Sequence, residues 1–246
     1  MLYPPITCLC PTYGRYEQLR DALAAFEAQG YPGHALLTIL NGSPTSLSCA
    51  NDSVRVINRE EDTFPTLGHK RQALLEFADT ELVAHWDDDD LYMPWHLTRS
   101  VLALKQHDVG CVRCQAAHYI TGPKNNLEYK GVRHNVFEGT MVFNRQEAID
   151  LGGYALKHSG QAKALLRRFK KANRLYNIPE DEGWISYGYR WADGVGHISG
   201  IGNAPGSKER FKNNNTDNGD SQVLTLGDLT PYYRIIPGNK TTTNPQ

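Results

Sequence analysis

The chain has 246 residues, of which 40% are hydrophobic and 22% are charged, and its formal net charge is −1. This composition excludes collagen-like, low-complexity and highly charged disordered chains, and it gives no overall attraction to nucleic acid or acidic membranes. No apolar run reaches the ~20 residues that cross a bilayer. Residues 1–5 lack the basic and apolar regions of a signal peptide, so we expect a cytoplasmic protein without a membrane span.

The five cysteines are Cys8, Cys10, Cys49, Cys111 and Cys114. An odd number of cysteines in a cytoplasmic chain argues against a disulfide framework. The two close pairs could together bind zinc through four thiolates. Both pairs lie in apolar runs typical of buried strands, where a free thiol packs as a small core side chain, so we favour the core interpretation.

The first half of the chain alternates between predicted strands and predicted helices. Short apolar runs that end at Pro or Asn-Gly turns predict the strands, and apolar residues spaced three and four apart predict the helices. The predicted strands cover residues 6–10, 36–40, 54–57 and 81–86, with helices over 16–29 and 68–78. This alternation predicts a largely parallel sheet, in which ligands bind beyond the carboxyl ends of the strands.

The second half is predicted to contain further strands and helices before a polar tail. Strands are predicted over residues 109–114, 116–121 and 140–143, and helices over 94–107, 145–151 and 161–173. From about residue 200 onward the chain is rich in Gly, Asn, Ser and Thr, and it contains few apolar residues. We therefore expect loop or partly disordered structure there.

Four consecutive carboxylates, Asp87–Asp90, follow the fourth predicted strand. Neighbouring acids repel one another by roughly 1 kcal/mol per pair at contact even in water. A divalent ion would relieve this repulsion, and oxygen-rich sites suit Mg²⁺ or Mn²⁺. The alternative is a solvated acidic loop that also caps the next helix, and the acids alone do not decide between the two.

Several motifs in one order resemble the GT-A fold glycosyltransferases, and most of all the family-2 nucleotide-sugar transferases. They are Pro11–Arg15, Gln29–Pro32, Asn41–Ser43, Gly68–Gln72, Asp87–Asp89, Gly152–Tyr154, Tyr189–Trp191 and His197–Ser199. The resemblance covers about residues 5–200 and implies an α/β, Rossmann-like fold with a mostly parallel central sheet flanked by helices. It implies one catalytic domain over residues 1–200, with a donor half (1–93), an acceptor half (94–200) and a tail (201–246).

The resemblance also implies which residues contact the nucleotide-sugar donor. They are Pro11, Thr12, Tyr13, Arg15, Asn41, Lys70, Arg71, Asp87 and Asp88. Tyr13 can stack on the base, although a partly buried turn aromatic is the simpler alternative. Asn41 can hold the base edge, but its amide both donates and accepts, which weakens the preference for the uridine of the expected UDP-sugar. Lys70 and Arg71 could instead be an exposed helix start.

For the metal, the resemblance implies Asp89 as a ligand of Mn²⁺ or Mg²⁺, with His197 as a candidate second ligand. The ion would neutralise the diphosphate leaving group as the glycosidic bond breaks. A lone His is often structural, and both interpretations of His197 stay open. Asp88 and Asp90 are expected to support the ion ligands and to cap the next helix.

The chain departs from the family pattern on the acceptor side. Inverting family-2 enzymes carry an acid pair there, whereas residues 160–163 read Gly-Gln-Ala-Lys. A general base is needed for inversion, and Glu138, Asp181 and Glu182 are the weak candidates; a retaining enzyme would instead pass the proton to the departing phosphate. The sequence decides neither the stereochemistry nor whether the acceptor is a glycan, a small molecule or a modified DNA base.

The predicted helix over residues 161–173 has a strongly basic face, and the basic stretch covers residues 163–174. Its bases are Arg167, Arg168, Lys170, Lys171 and Arg174, with Lys208, Arg210 and Lys212 in the tail. A solvated helix face is the common explanation, and a track for DNA that carries a modified base is the alternative.

A catalytically inactive nucleotide-sugar binding module is a further alternative. A nucleotidyltransferase is expected to have a Gly-rich basic loop after the first strand. Pro11–Arg15 is not such a loop, so the sequence argues against this class of enzyme.

Overall fold

The computed structural model describes residues 3–59, 64–134, 137–179, 185–191 and 221–237. The strands are β1 (Ile6–Thr12), β2 (Ala35–Asn41), β3 (Leu47–Ser48), β4 (Val54–Asn58), β5 (Leu82–His85), β6 (Leu91–Tyr92), β7 (Cys111–Cys114), β8 (Ala116–Thr121), β9 (Glu128–His134), β10 (Val142–Asn144), β11 (Leu175–Ile178), β12 (Tyr187–Trp191) and β13 (Gln222–Val223). The helices are α1 (Tyr16–Glu27), α2 (Leu67–Phe77), α3 (His96–Gln106), α4 (Arg145–Asp150), α5 (Gln161–Lys171), α6 (Thr230–Ile235) and a 3-10 helix (Glu138–Thr140).

The central sheet has seven strands among the described residues, in the order β11-β7-β10-β5-β1-β2-β4. β1 pairs in parallel with β2 and with β5, and β2 pairs in parallel with β4. β10 is antiparallel to both β5 and β7. The predicted α/β fold with a mostly parallel central sheet is therefore confirmed. The carboxyl ends of β1, β2 and β5 come together at one edge because these three strands are neighbours and parallel.

Two smaller sheets flank this edge. One has the order β6-β12-β8-β9, in which β12 is parallel to β8 and antiparallel to β6. The other, within the described part of the chain, joins β13 to β3 in parallel. Because β6 directly follows the four acids, its pairing with β12 carries the second half of the chain up to the acidic segment.

The core explains why the predicted elements form. All seven residues of β1 are buried, and α1 covers one face of the sheet with Leu19, Leu23 and Phe26. Four of the cysteines, Cys8, Cys10, Cys111 and Cys114, are buried free thiols. Burial raises the pKa of each of these thiols. They pack as small core residues, as the strand pattern indicates.

Two local differences from the sequence prediction have physical causes. β1 continues through Thr12 because β2 continues to pair with it as far as Asn41, so Pro11 and Thr12 lie in a strand and not in a turn. The tail is not only loop, since the C-terminal segment, residues 221–237, contributes β13 and α6, with Tyr232 buried against the core. No helix in the described ranges is long and apolar enough to span a bilayer.

Candidate active site

The four acids that follow β5 form one buried loop, which we call the acid loop (Asp87–Asp90). Asp88, Asp89 and Asp90 are 1%, 8% and 3% exposed. The loop is buried because β5 lies in the middle of the sheet, between β1 and β10. A solvated acidic loop is therefore excluded. The helix-capping role is wrong as well, since Trp95 is the N-cap of α3 and makes no side-chain capping bond.

Arg15, just beyond β1, neutralises the middle of the acid loop. Its Nη2 lies 2.5 Å from Asp88 Oδ1, and its Nη1 donates to Asp89 Oδ2 at 2.6 Å. Thr12 adds a hydrogen bond from Oγ1 to Asp88 Oδ2 at 2.7 Å. Burial raises the pKa of Asp88 to about 6, although Arg15 and Thr12 oppose the rise. The predicted donor residues Thr12 and Arg15 thus shape the acid loop directly.

Arg71 neutralises Asp87, the first residue of the acid loop, as Arg15 neutralises the two middle ones. It lies in α2, is 8% exposed, and donates from Nη2 to Asp87 Oδ1 at 2.5 Å. The amide of Asp87 donates to Tyr92 Oη at 2.8 Å, and that hydroxyl donates to the carbonyl of Gly139 at 3.0 Å. An exposed helix start is therefore the wrong description of Arg71. These contacts fix Asp87 beside the short 3-10 helix.

A buried histidine that the sequence analysis missed supports this corner. His85, the last residue of β5, donates from Nδ1 to the carbonyl of Glu138 at 2.6 Å and accepts from Tyr154 Oη at 2.5 Å. Burial, followed by the charge of Arg71, lowers the pKa of His85 well below its ordinary value, so the ring is neutral. The sequence signal was a histidine at the end of an otherwise apolar strand, with Trp86 alone between it and four acids.

Asp90, the last residue of the acid loop, is hydrogen-bonded to other parts of the protein. Asp90 accepts hydrogen bonds from the hydroxyl of Tyr187 and from the amide of Arg190, the latter at 3.1 Å. Burial raises the pKa of Asp90 well above its ordinary value, and the neighbouring acids add to the rise. Asp90 therefore attaches the acid loop to β12. Asp87 and Asp89 are the more outward acids, and the expected support of the ion ligands by Asp90 stays a prediction.

The turn after β1 brings an aromatic ring and a lysine together. Lys70 Nζ lies 5.6 Å from the centre of the Tyr13 ring and donates to the carbonyl of Thr12 at 3.0 Å. Both side chains are half-buried. Burial lowers the pKa of Lys70 to about 8, against the attraction of Asp88. The structure thus brings Tyr13 and Lys70 next to the acid loop, and Lys70 is not part of an exposed helix start.

Asn41 and Pro11 are placed differently from the other predicted donor residues. Asn41 is fully buried, and its Nδ2 donates to the Thr45 carbonyl at 2.7 Å and to Asn58 Oδ1 at 3.0 Å. Its Oδ1 accepts from the amide and hydroxyl of Ser43. A contact between Asn41 and a base would require these bonds to break. Pro11 is buried within β1 and has no N–H to offer a donor.

Of the three predicted general bases, Glu138 lies within the described residues. Glu138 is half-buried in the 3-10 helix, next to Gly139, on which an added Cβ would lie 2.9 Å from Asp87 Oδ2. Asp181, Glu182 and His197 lie outside the described residues. Within the described ranges, no group of three His, Cys, Asp or Glu side chains could hold a metal ion. Asp89 is therefore the one predicted metal ligand whose surroundings can be described.

A second buried polar cluster lies behind the acid loop. Asp21 in α1, Arg190 in β12 and Tyr232 in α6 are 2%, 4% and 2% exposed and hydrogen-bond to one another. The sequence analysis noted Arg190 only as part of a motif and missed the other two. The available signal was weak, namely an acid in α1 among Leu19, Ala22 and neighbouring apolar residues.

Comparisons with known proteins agree with this architecture. The sequence profile described as Glycosyl transferase family 2 matches residues 7–173. A comparison with curated proteins finds no match. Among solved structures, S. aureus TarS is similar with a TM-score of 0.56 and 15% identity, over 76% of this chain and 36% of that chain.

Two ligand complexes are also similar. The mannosyltransferase PcManGT from Pyrobaculum calidifontis in complex with GDP-Man and Mn2+ has a TM-score of 0.53 and 18% identity, over 72% of this chain and 55% of that chain. S. aureus TarS 1-349 in complex with UDP-GlcNAc has a TM-score of 0.52 and 14% identity, over 75% and 58%. This chain thus spans well under two thirds of the length of these structures, and identities this low show the fold alone. The profile match covers most of the chain and establishes that it belongs to glycosyl transferase family 2.

Proposed function

We propose that the chain transfers a sugar from a nucleotide diphosphate-sugar, with a UDP-sugar as the expected donor, to an acceptor hydroxyl. One observation carries the proposal. The acid loop, the Tyr13 ring and the amine of Lys70 converge at the carboxyl edge of β1, β2 and β5. Ligands of open α/β sheets bind at this edge. An aromatic ring and cations beside carboxylates suit a base and a diphosphate held together with a metal ion.

The acid loop is where a hard divalent ion such as Mn²⁺ or Mg²⁺ would bind, with further ligands from outside the described residues or from the donor. Its carboxylates are oxygen ligands, and they outnumber the two guanidiniums that contact them, Arg15 and Arg71. Asp89 would hold the ion, together with His197 and oxygens of the diphosphate. When bound, the ion would neutralise the charge that develops on the leaving diphosphate. PcManGT, whose complex contains Mn2+, supports this assignment by similarity.

The residues of the chain have distinct parts in binding the donor. Tyr13 would stack on the base, and Lys70 beside it would attract the diphosphate. Arg15, Arg71 and Thr12 orient the carboxylates, so that Asp87 would face the ribose or the ion and the buried Asp88 would support the ligands of the ion. We assign Asn41 to shaping the loop under the base, since its amide is fully hydrogen-bonded inside the protein. The buried free thiols fit the cytoplasmic location that we propose.

The acceptor hydroxyl needs a group that takes its proton if the reaction inverts configuration. Glu138 is the candidate among the described residues, because the adjacent Gly139 packs against Asp87. Asp181 and Glu182 remain candidates as well. Glu138→Gln should lower kcat and leave KM for the donor near its wild-type value, because the amide keeps the shape of the side chain and cannot accept the proton. An unchanged kcat would remove Glu138 from consideration.

The proposal is tested by donor turnover. Release of UDP from UDP-GlcNAc, and of GDP from GDP-mannose, is measured with Mn²⁺ for the wild type, for Asp89→Asn and for Asp79→Asn. Asp79 is an exposed acid away from the acid loop and serves as the matched control. We expect turnover that is lost in Asp89→Asn and retained in Asp79→Asn. Donor binding without turnover would indicate the inactive binding module. The absence of both donor binding and donor turnover would refute the proposal.

A second candidate acceptor is DNA that carries a modified base, and the surface of α5 favours it. Lys163, Arg167, Lys170 and Lys171 are exposed along one side of this helix, with no acid paired to them among the described residues. The neighbouring Lys157 loop packs against Gly68 at the start of α2, close to Lys70. A row of unpaired cations that leads towards the site suits a phosphate backbone.

Duplex binding tests this acceptor. A fluorescent DNA duplex should bind with an affinity that falls steeply with salt and that falls further in the double variant Lys170→Glu with Lys171→Glu. The double variant Lys105→Glu with Lys130→Glu makes the same change in net charge at exposed positions elsewhere. Equal affinity of the two double variants would refute the DNA acceptor without affecting the donor assignment.

A further inference from the structure

Arg190 joins the acid loop to two distant parts of the chain. Its Nε donates to the main-chain carbonyl of Asp89 at 2.6 Å, and its own amide donates to Asp90 Oδ1 at 3.1 Å. These two bonds hold consecutive residues of the loop from the same side. The first bond holds the main chain of Asp89 and the second holds the side chain of Asp90, so Arg190 limits the direction in which the Asp89 carboxylate points.

The guanidinium is held in turn by α1 and α6. Arg190 Nη1 donates to Asp21 Oδ2 at 2.9 Å and to Tyr232 Oη at 2.6 Å. The Tyr232 hydroxyl donates to the same Asp21 oxygen at 2.8 Å, and Lys124 Nζ donates to the other oxygen at 2.6 Å. Both oxygens of a buried carboxylate are therefore occupied. Together with the bond from Nε to the Asp89 carbonyl, these bonds fix the orientation of the Arg190 guanidinium.

The C-terminal segment, residues 221–237, is fitted closely to this cluster. A Cβ on Gly227 would collide with the Asp21 carboxylate, and the Gly227 amide donates to the carbonyl of Arg20 at 2.9 Å. At its other end, β13 pairs with β3, next to the loop that Asn41 shapes. The segment thus contacts the cluster of Asp21 and Arg190 behind the acid loop and the strand β3 that follows the Asn41 loop, and it lies beyond the residues that match the family profile.

We propose that Arg190 is a positioning residue for the acid loop, and that the C-terminal segment acts through it on the binding of the metal ion and the donor diphosphate. This inference rests on the proposed function. Arg190 does not contact the donor in this scheme. It turns the Asp89 main chain, Asp21 supplies the opposing charge, and Tyr232 closes the cluster from α6. A variant that loses these bonds would keep the carboxylates of the acid loop, but their side chains would no longer be held in fixed orientations.

The test uses the full chain and three substitutions. Arg190→Lys keeps the charge but cannot reach Asp21, Tyr232 and the Asp89 carbonyl together. Asp21→Asn keeps the shape and removes the charge. Tyr232→Phe removes one hydroxyl. Tyr233→Phe is the matched control, because it removes from the same helix a buried hydroxyl that has no hydrogen-bond partner in the described structure.

Two readouts separate the positioning role from mere support of the fold. The first is amide hydrogen exchange of residues 86–92 without any ligand. The second is calorimetric binding of UDP with Mn²⁺. We expect faster exchange in the acid loop and about tenfold weaker binding in Arg190→Lys and Asp21→Asn, the usual size of effect for groups that orient metal ligands. Tyr232→Phe should change in the same direction by less, and Tyr233→Phe should match the wild type.

The outcomes are distinguishable. Wild-type exchange in the acid loop of folded Arg190→Lys and Asp21→Asn, together with unchanged binding, would overturn the inference. A loss of unfolding free energy without either change would also overturn it, because it would show a structural brace only. If Arg190→Lys does not fold, Tyr232→Phe decides by the same readouts. If the wild type itself binds no UDP with Mn²⁺, the proposed function fails, and hydrogen exchange still tests the positioning role.

Discussion

Replacing Arg15 by methionine should destabilise the protein strongly, because it leaves buried carboxylates without their cation. The Arg15 side chain is 16% exposed and Asp88 is 1% exposed. Arg15 lies 2.5 Å from Asp88 and 2.6 Å from Asp89. Breaking a buried pair by removing one partner costs about 3–5 kcal/mol. In a chain of this size that corresponds to a fall in the melting temperature of roughly 6–20 °C.

The assay is urea and thermal denaturation of Arg15→Met and Arg20→Met, followed by circular dichroism. Arg20 is the matched control, because its side chain is 39% exposed and its pair with Glu17, at 3.3 Å, lies on the surface. Such surface pairs contribute about 0–1 kcal/mol. If the two variants lose the same free energy of unfolding, Arg15 does not neutralise the acid loop, and our account of how the loop is kept buried is wrong.

Three further predictions follow from single contacts. The pKa of Lys70 is about 8, and a neutral amine no longer attracts the diphosphate. The affinity for UDP should therefore fall by up to about tenfold for each pH unit above about 8. Calorimetric titrations should show that Lys70→Arg removes this pH dependence. Gly139→Ala should cost about 1–3 kcal/mol in urea denaturation, because its Cβ would lie 2.6 Å from Tyr187 Oη. Gly42→Ala, whose Cβ meets the movable end of Lys70, should cost less. Thr66→Ala should remove the N-cap of α2 and cost about 1 kcal/mol in the same assay.

The parts of the fold that the sequence predicts are those that local patterns determine. The apolar runs of β1, β2 and β5, each ending at a turn or at the acids, are sufficient to place three parallel strands and their shared edge. The same logic brings Pro11–Arg15, Asn41–Ser43 and the acid loop together. No contact among them is predicted by spacing, because Arg15 and Asp89 are separated along the chain by α1, four strands (β2, β3, β4 and β5) and α2.

Asn41 shows where a family motif stops being informative. Asn41 lies at the end of β2, where the motif Asn41–Ser43 follows the predicted strand over residues 36–40. Its hydrogen bonds are decided by Ser43, Thr45 and Asn58, which only the folded loop brings near. An asparagine whose amide makes all its hydrogen bonds with protein groups has a structural role, whereas an exposed amide is free to bind a ligand. The sequence shows the same residue type in both cases.

The cluster of Asp21, Arg190 and Tyr232 shows a harder limit. Each residue comes from a different part of the chain, and each alone has an ordinary explanation on a helix face or in a strand. Burying Asp21 would be costly without Arg190 and Lys124, and burying Arg190 would be costly without Asp21. The cluster is therefore stable only as a whole. Because a hydrogen bond from Arg190 ends on the Asp89 carbonyl, the direction of an acid of the candidate site depends on a helix that composition alone would assign to a polar tail.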